Sequence, residues 1–202
     1  MMTGGICIFG GSFDPVHKGH KKLAVFIAQK LKLRKMLIIP AGLSPFKSST
    51  GADEAQRLEM CRLAFSEDIF EISDIEIKRG GKSYTVDTVT EIKALYPEEK
   101  LYLLIGSDQL LSFDRWYRYR DILSAATLVS VSRESSVETA RLNEFADERL
   151  RPYGECIIFD FEAFEVSSTF LRERLSSGES VSEYIDKGVS AYIQKKGLYK
   201  NE

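Results

Sequence analysis

The chain has 202 residues, 44% of them hydrophobic, enough to bury one substantial core and too few for two full-sized domains. Lysine and arginine total 28 against 30 aspartate and glutamate, a formal charge of -2, which excludes a global basic field for holding long nucleic acid and leaves any anionic ligand to a local site. Cys7, Cys61 and Cys156 are scattered and form no C-x-x-C pair, which argues against disulfides and zinc, and no apolar run approaches the roughly 18 residues that cross a bilayer, so the cytosol is the expected compartment.

Ile6 to Phe9 is a short apolar run that ends in Gly10-Gly11, and Leu23 to Leu33 carries apolar residues at helical spacing, which together predict strand, glycine turn and helix. Met36 to Ile39, stopped by Pro40, is a second strand; Ala41 to Ala52 reads as a loop; Asp53 caps a helix running to about Phe65. Phe70 to Lys78 alternates in strand fashion up to Gly80-Gly81, and Thr85 to Tyr96 is helical in pattern. Leu101 to Ile105 and Leu128 to Val131 are further strands, separated by an aromatic-rich helical stretch around Trp116. Val137 to Leu150 reads as a surface helix and Cys156 to Phe159 as the last strand. Helices over about Ser168 to Leu175 and Val181 to Lys195 finish the chain. Apolar strands alternating with helices imply a doubly wound α/β fold with a mostly parallel sheet, one domain over residues 1–202 with a small C-terminal helical part from about residue 167. Ligands in such a sheet bind at the carboxyl ends of the strands, where strand order switches direction.

The string Gly10-Gly11-Ser12-Phe13-Asp14-Pro15-Val16-His17-Lys18-Gly19-His20 follows the first strand and runs into the first helix. Glycines let backbone approach a phosphate, and a helix start offers N–H groups and partial positive charge. His17 and His20, the two histidines of the chain, are three apart and share one helical face, where they can grip one anionic group. A zinc pair would need a third ligand, and none suggests itself, so no protein-held metal is expected. Near the far end, Ser167-Ser168-Thr169 opens a helix with Arg172 one turn on, a set suited to phosphate oxygens.

The first string resembles the signature of the H-x-G-H nucleotidylyltransferases, and Val166 to Arg172 is similar to that superfamily's I-S-S-T-x-I-R motif. Three further segments resemble the bacterial nicotinate-nucleotide adenylyltransferases. They are Ser83-Tyr84-Thr85-Val86-Asp87-Thr88, Ile105-Gly106-Ser107-Asp108-Gln109-Leu110 with Phe113 and Trp116, and the loop Pro40 to Lys47, which departs from the family at Ser44 and Phe46. The resemblance spans Gly10 to Arg172 and implies a Rossmann-like nucleotidylyltransferase fold. It also implies transfer of AMP from ATP to nicotinate mononucleotide, giving deamido-NAD and pyrophosphate, in NAD biosynthesis.

It assigns His17, His20 and Arg172 to catalysis at the ATP phosphates, and Gly10, Gly11, Ser12, Phe13, Gly106, Asp108, Ser168 and Thr169 to ATP binding. Lys47, Ser83, Tyr84, Thr85, Trp116 and Tyr117 fall to nicotinate mononucleotide, with Trp116 either stacked on the pyridine ring or a core aromatic. The acid carboxylate is expected to meet backbone N–H groups around Thr85 and Tyr117, not Arg115 or Arg118. The implied Mg2+ is carried mainly by ATP. Neither nucleic acid nor membrane is an expected partner, and a homo-oligomer is admissible. An adenylyltransferase for phosphopantetheine, a cytidylyltransferase, or a regulator that keeps the fold without turnover are the competing readings.

Overall fold

The computed structural model of the chain describes residues 4–42, 51–132, 136–162 and 164–200. The sheet has six strands, β1 (Gly4–Gly11), β2 (Leu33–Pro40), β3 (Phe70–Ile72), β4 (Leu101–Leu104), β5 (Thr127–Ser132) and β6 (Cys156–Asp160), all parallel and ordered β3-β2-β1-β4-β5-β6. The order runs outward from β1 in both directions, so the switch point lies between β1 and β4, paired Ile6↔Leu101 through Phe9↔Leu104.

Because successive strand residues point to opposite faces, β1 serves two cores. Cys7 and Phe9 join Leu23, Ala24 and Ile27 of α1 (Lys18–Lys30) and Met60 and Cys61 of α2 (Glu54–Ala64). Ile6 and Ile8 face Val89 and Ile92 of the helix Thr85–Leu95, and Leu142 and Ala146 of the helix Ser136–Arg149. Ile6, Ile8 and Ile27 are at most 1% exposed, and full burial of such a side chain contributes about 1.5–3 kcal/mol. Burial also raises the thiol pKa of Cys7 and Cys61, and that of Cys156 to about 11, so all three cysteines sit in the protein as protonated, unreactive packing groups. Among the described residues no helix is long and apolar enough to cross a membrane.

Four sequence expectations are corrected. The strand expected over Phe70 to Lys78 stops at Ile72, and Ile75–Arg79 is a short helix, α3. The apolar positions change parity here, from 70 and 72 to 75 and 77, and the structure sends Phe70 and Ile72 to the first core but Ile75 to the second. After α4 (Thr85–Leu95) and α5 (Ser107–Leu110), the stretch around Trp116 is not a helix. A 3₁₀ turn at Phe113–Arg115 and α6 (Tyr119–Ala125) flank an extended Trp116. Beyond α7 (Ser136–Arg149) and α8 (Ser168–Ser176), the last helix, α9, spans Lys187–Lys196; Val181 to Ile185 forms a turn with Tyr184 and Ile185 N–H groups on the Val181 carbonyl, and Asp186 is the residue before the helix. The first helix also starts earlier than its apolar pattern, at Lys18, which makes His17 its cap.

Candidate active site

The loop from Ser12 to His17 leaves the carboxyl end of β1, with Gly10 and Gly11 as the last residues of the strand. Its centre is anchored by Phe13, which adopts φ 49° and is only 1% exposed, its ring edge-on to Phe9, Phe65 and His20. Phe13 is thus the pin that holds the turn down, with little surface to offer a ligand.

The two histidines form a reciprocal cap. His17 sits in extended conformation at the N-cap of α1, and its Nδ1 accepts the N–H of His20 at 3.3 Å, while His20 Nδ1 accepts the N–H of His17 at 3.3 Å. Histidine here takes both roles of a capping box, normally filled by Ser or Thr and Glu or Gln. The rings stack with centroids 3.6 Å apart. Since each Nδ1 is an acceptor, each neutral imidazole carries its proton on Nε2, so both outer nitrogens are N–H donors. Gly19 packs closely between them: a Cβ there would lie 3.0 Å from His17 Nδ1 and 3.1 Å from Val166 Cγ1, tight enough that a neighbour would have to give.

That contact with Val166 brings in the second motif, about 150 residues along the chain. Ser167 caps α8 by accepting the Phe170 N–H at 3.1 Å. Ser168 Oγ donates to the Pro15 carbonyl at 3.0 Å, and Arg172 donates from Nη1 to the Asp14 carbonyl at 2.7 Å and from Nη2 to Thr169 Oγ1 at 3.1 Å. The hydroxyl proton of Ser168 therefore ties the two motifs to each other. Thr169 is exposed, and it accepts from Arg172 with its own proton left to donate. On the other side of β1, Gly106 caps α5 after β4, and Asp108 stands exposed at the switch point, accepting from Gln109 Nε2 at 2.9 Å.

A second cluster adjoins. Ala41 N–H donates to the Gly11 carbonyl at 2.8 Å, and Gly42 lies against Ser83. Ser83 Oγ is buried without a hydrogen-bond partner among the described residues. Tyr84 precedes α4 and makes no side-chain cap, so the first N–H groups of that helix, from Thr85 on, have no side-chain acceptor at Tyr84. The Tyr84 and Tyr117 rings meet with centroids 5.0 Å apart, joining the α4 start to the segment after the 3₁₀ turn. Trp116 is partly buried on Phe113, centroids 4.9 Å apart, and Tyr117 is 59% exposed. Arg115 is exposed, and Arg118 is held by Asp121 through a 2.6 Å bond. Lys47 lies outside the described residues.

Sequence reasoning missed three residues that build the loop. Arg57, 8% exposed, donates to the Ser12 carbonyl at 2.9 Å; Tyr199 donates to Asp14 Oδ1 at 2.6 Å; and Asp14 itself was given no role. A lone arginine inside an amphipathic helix and a tyrosine near the end of the chain carry no local signature. Asp14, at the heart of the motif, did offer one.

A cytidylyltransferase-like family model matches residues 8–174, the span that holds both motifs. Among curated relatives, a protein of Dehalococcoides mccartyi is 36% identical over 95% of both chains, and one of Carboxydothermus hydrogenoformans is 36% identical over 96% of this chain and 98% of its own; each is named "Probable nicotinate-nucleotide adenylyltransferase". The fold matches that of Plasmodium falciparum nicotinic acid mononucleotide adenylyltransferase complexed with NaAD, with a TM-score of 0.77 over 96% of both chains at 18% identity. With that degree of identity along almost its whole length, the chain belongs to the nicotinate-nucleotide adenylyltransferase family.

Proposed function

We propose that the protein transfers the AMP part of ATP to nicotinate mononucleotide, forming deamido-NAD and pyrophosphate. An oxygen of the mononucleotide 5′-phosphate attacks the α-phosphorus of ATP. The new P–O bond forms as the bond to the β-phosphate oxygen breaks, and pyrophosphate leaves with that electron pair. The attacking phosphate is already an anion, so no protein nucleophile and no protein base are needed, and catalysis rests on positioning and charge neutralisation.

The observation that carries the proposal is the reciprocal cap. It commits Nδ1 of both histidines to the backbone and so makes Nε2 the N–H donor of each ring, on the loop that Arg172 also reaches through the Asp14 carbonyl. His17, His20 and Arg172 are read as the groups that hold the transferring phosphate, with Gly10, Gly11 and Ser12 presenting backbone and hydroxyl to the ATP phosphates and Thr169 adding a donor. Asp108 is read as the acceptor for ribose hydroxyls, with Gly106 giving close approach. Nicotinate mononucleotide is placed at Ser83, Tyr84 and Thr85, against Trp116 and Tyr117, its carboxylate on backbone N–H groups and not on Arg115 or Arg118. The buried hydroxyl of Ser83 supports this, since a ligand would supply the partner it lacks among the described residues.

The donor set suits phosphate oxygens, not a cation. Mg2+ is therefore read as part of the MgATP substrate, held by phosphate oxygens and water. The protein is read as a single-domain cytoplasmic enzyme that acts on small molecules.

Pyrophosphate release from ATP with a panel of acceptors tests the proposal: nicotinate mononucleotide should support release, and phosphopantetheine should not. Replacing ATP by CTP should abolish it. No release with any acceptor in the panel would favour a nucleotide-binding regulator instead.

A further inference from the structure

A carboxylate is an unexpected group in a loop that receives a polyphosphate, because like charges repel across such a short distance. Asp14 nevertheless lies between Ser12 and His17, and its contacts give the reason. Its Oδ1 accepts two hydrogen bonds, from the Tyr199 hydroxyl at 2.6 Å and from the Ala52 N–H at 2.9 Å. Its backbone carbonyl takes Nη1 of Arg172 at 2.7 Å. Gly51 is pressed onto the other oxygen, where a Cβ would stand only 1.8 Å from Asp14 Oδ2. One aspartate thus joins the β1–α1 loop, the approach to α2, the arginine of α8 and the chain beyond α9.

The tail is shaped for this contact. Gly197 turns the chain at the end of α9 with φ 64°, Leu198 N–H returns to the Ile193 carbonyl at 3.1 Å, and Tyr199 is itself held at φ 63°, a region that residues with a side chain rarely adopt. Burial, and then the bond to Asp14, raises the phenol pKa, so the hydroxyl stays a proton donor at neutral pH.

We propose that Tyr199 is a positioning residue of the adenylyl-transfer site, its hydroxyl fixing the Asp14 carboxylate and through it the loop that presents Ser12 and His17. The inference rests on the assignment of that loop to the ATP phosphates. Tyr199 does not touch substrate. It restrains Asp14 so that the loop's charge is spent on neighbouring donors and its backbone is held for the incoming nucleotide.

The test is steady-state kinetics with thermal denaturation on Tyr199→Phe, Asp14→Ala and the double variant. Tyr199→Phe keeps the ring and its packing, and its kcat/KM for ATP should fall roughly ten- to a hundredfold, the range for losing a hydrogen bond to a charged group. KM for nicotinate mononucleotide should stay within about twofold, a split that a general loss of folded protein would not produce. In the Asp14→Ala background the tyrosine change should add almost nothing, because its route to the site is gone. Gly51→Ala, which forces the Asp14 carboxylate off its donors, should copy the ATP defect.

Additive effects of the Tyr199 and Asp14 changes, or wild-type kinetics in a folded Tyr199→Phe, would overturn the proposal. If Tyr199→Phe loses its cooperative transition, Asp14→Asn carries the test: it keeps an oxygen for the phenol, so its kcat/KM for ATP must exceed that of Asp14→Ala about tenfold, and equality overturns the proposal. Wild-type protein that forms no deamido-NAD would instead be a failure of the reading on which the inference rests.

Discussion

The imidazole of His17 lies on that of His20 with centroids 3.6 Å apart, and each ring takes the backbone N–H of the other residue. The pair therefore does two jobs, capping α1 and presenting Nε2–H donors, and a substitution can separate them. Asparagine is a good N-cap, so His17→Asn should keep the melting temperature close to wild type, whereas His17→Ala should lose about 1 kcal/mol of stability. Both should lower kcat about a hundredfold or more, the usual cost of a lost preorganised donor. Kinetic and thermal measurement of the two variants decides the matter. Near-normal kcat in folded His17→Asn would leave the ring with capping alone.

Arg172 spends Nη1 on the Asp14 carbonyl and Nη2 on Thr169, and on the proposed function the other N–H donors of its fork would meet phosphate oxygens. Lysine has the charge but not the planar fork, so it cannot hold the loop and the phosphate together. Arg172→Lys should lower kcat/KM for ATP at least about tenfold, equivalent to one hydrogen bond to a charged group, and change KM for nicotinate mononucleotide little. Wild-type kinetics with ATP would reduce Arg172 to a loop anchor.

Thr88 is 2% exposed and sits within a polar network: it donates to Glu76 Oε1 at 2.8 Å and accepts from Arg79 Nη1 at 3.2 Å, while Arg79 also grips Glu91 through two bonds of 2.8 and 3.0 Å. The network ties α3 to α4, whose first residue, Thr85, belongs to the proposed nicotinate site. Thr88→Val keeps the shape and removes the hydroxyl, which should cost about 1–3 kcal/mol. At about 2–4 °C per kcal/mol for a chain of this length, calorimetry resolves that loss easily. KM for nicotinate mononucleotide should rise as well, and an unchanged melting temperature would remove the network from the account.

The same network carries a pH signature. The hydrogen bond from Arg79 holds the Glu91 carboxyl below its ordinary 4.5. A carboxylate with a depressed folded-state pKa contributes stability above its unfolded pKa and loses it as pH falls through the folded value. The melting-temperature gap between wild type and Glu91→Gln should therefore be present at neutral pH and close below about pH 4.5, the ordinary carboxyl value. The gap should be small, because the pair is partly exposed and screened. A gap that persists at low pH would assign it to packing instead.

Much of this was legible in the sequence because the informative residues are local. The apolar runs of β1, β2, β4 and β5 are buried on both faces and need no partner to be recognised, and Asp53 caps α2 as expected, the structure adding Gln56 as its partner. The two motifs were readable as strings, and the structure joins them through Ser168, Arg172 and Val166. What failed was parity and distance. Ile75 and Ile77 alternate as strand residues do, but the switch from even to odd positions takes Ile75 to the second core. The bonds from Arg57 to Ser12 and from Tyr199 to Asp14 cross 45 and 185 residues, and no periodicity encodes such pairs. The reciprocal use of Nδ1 was equally invisible, since spacing places His17 and His20 on one face without saying which nitrogen faces the backbone.

The acid preference tests the whole account in one vessel. Wild-type protein is incubated with MgATP and equimolar nicotinate and nicotinamide mononucleotides, and the dinucleotide products are separated and counted, which reports the ratio of the two kcat/KM values directly. On the proposed placement, backbone N–H groups at the start of α4 donate to a carboxylate oxygen but would leave the amide's NH₂ facing a donor, so deamido-NAD should exceed NAD at least about ten- to a hundredfold. Arg115→Gln and Arg118→Gln should leave that ratio unchanged, and Trp116→Ala should weaken use of both mononucleotides without altering KM for ATP. Equal amounts of the two products, or pyrophosphate release with neither, would contradict the account.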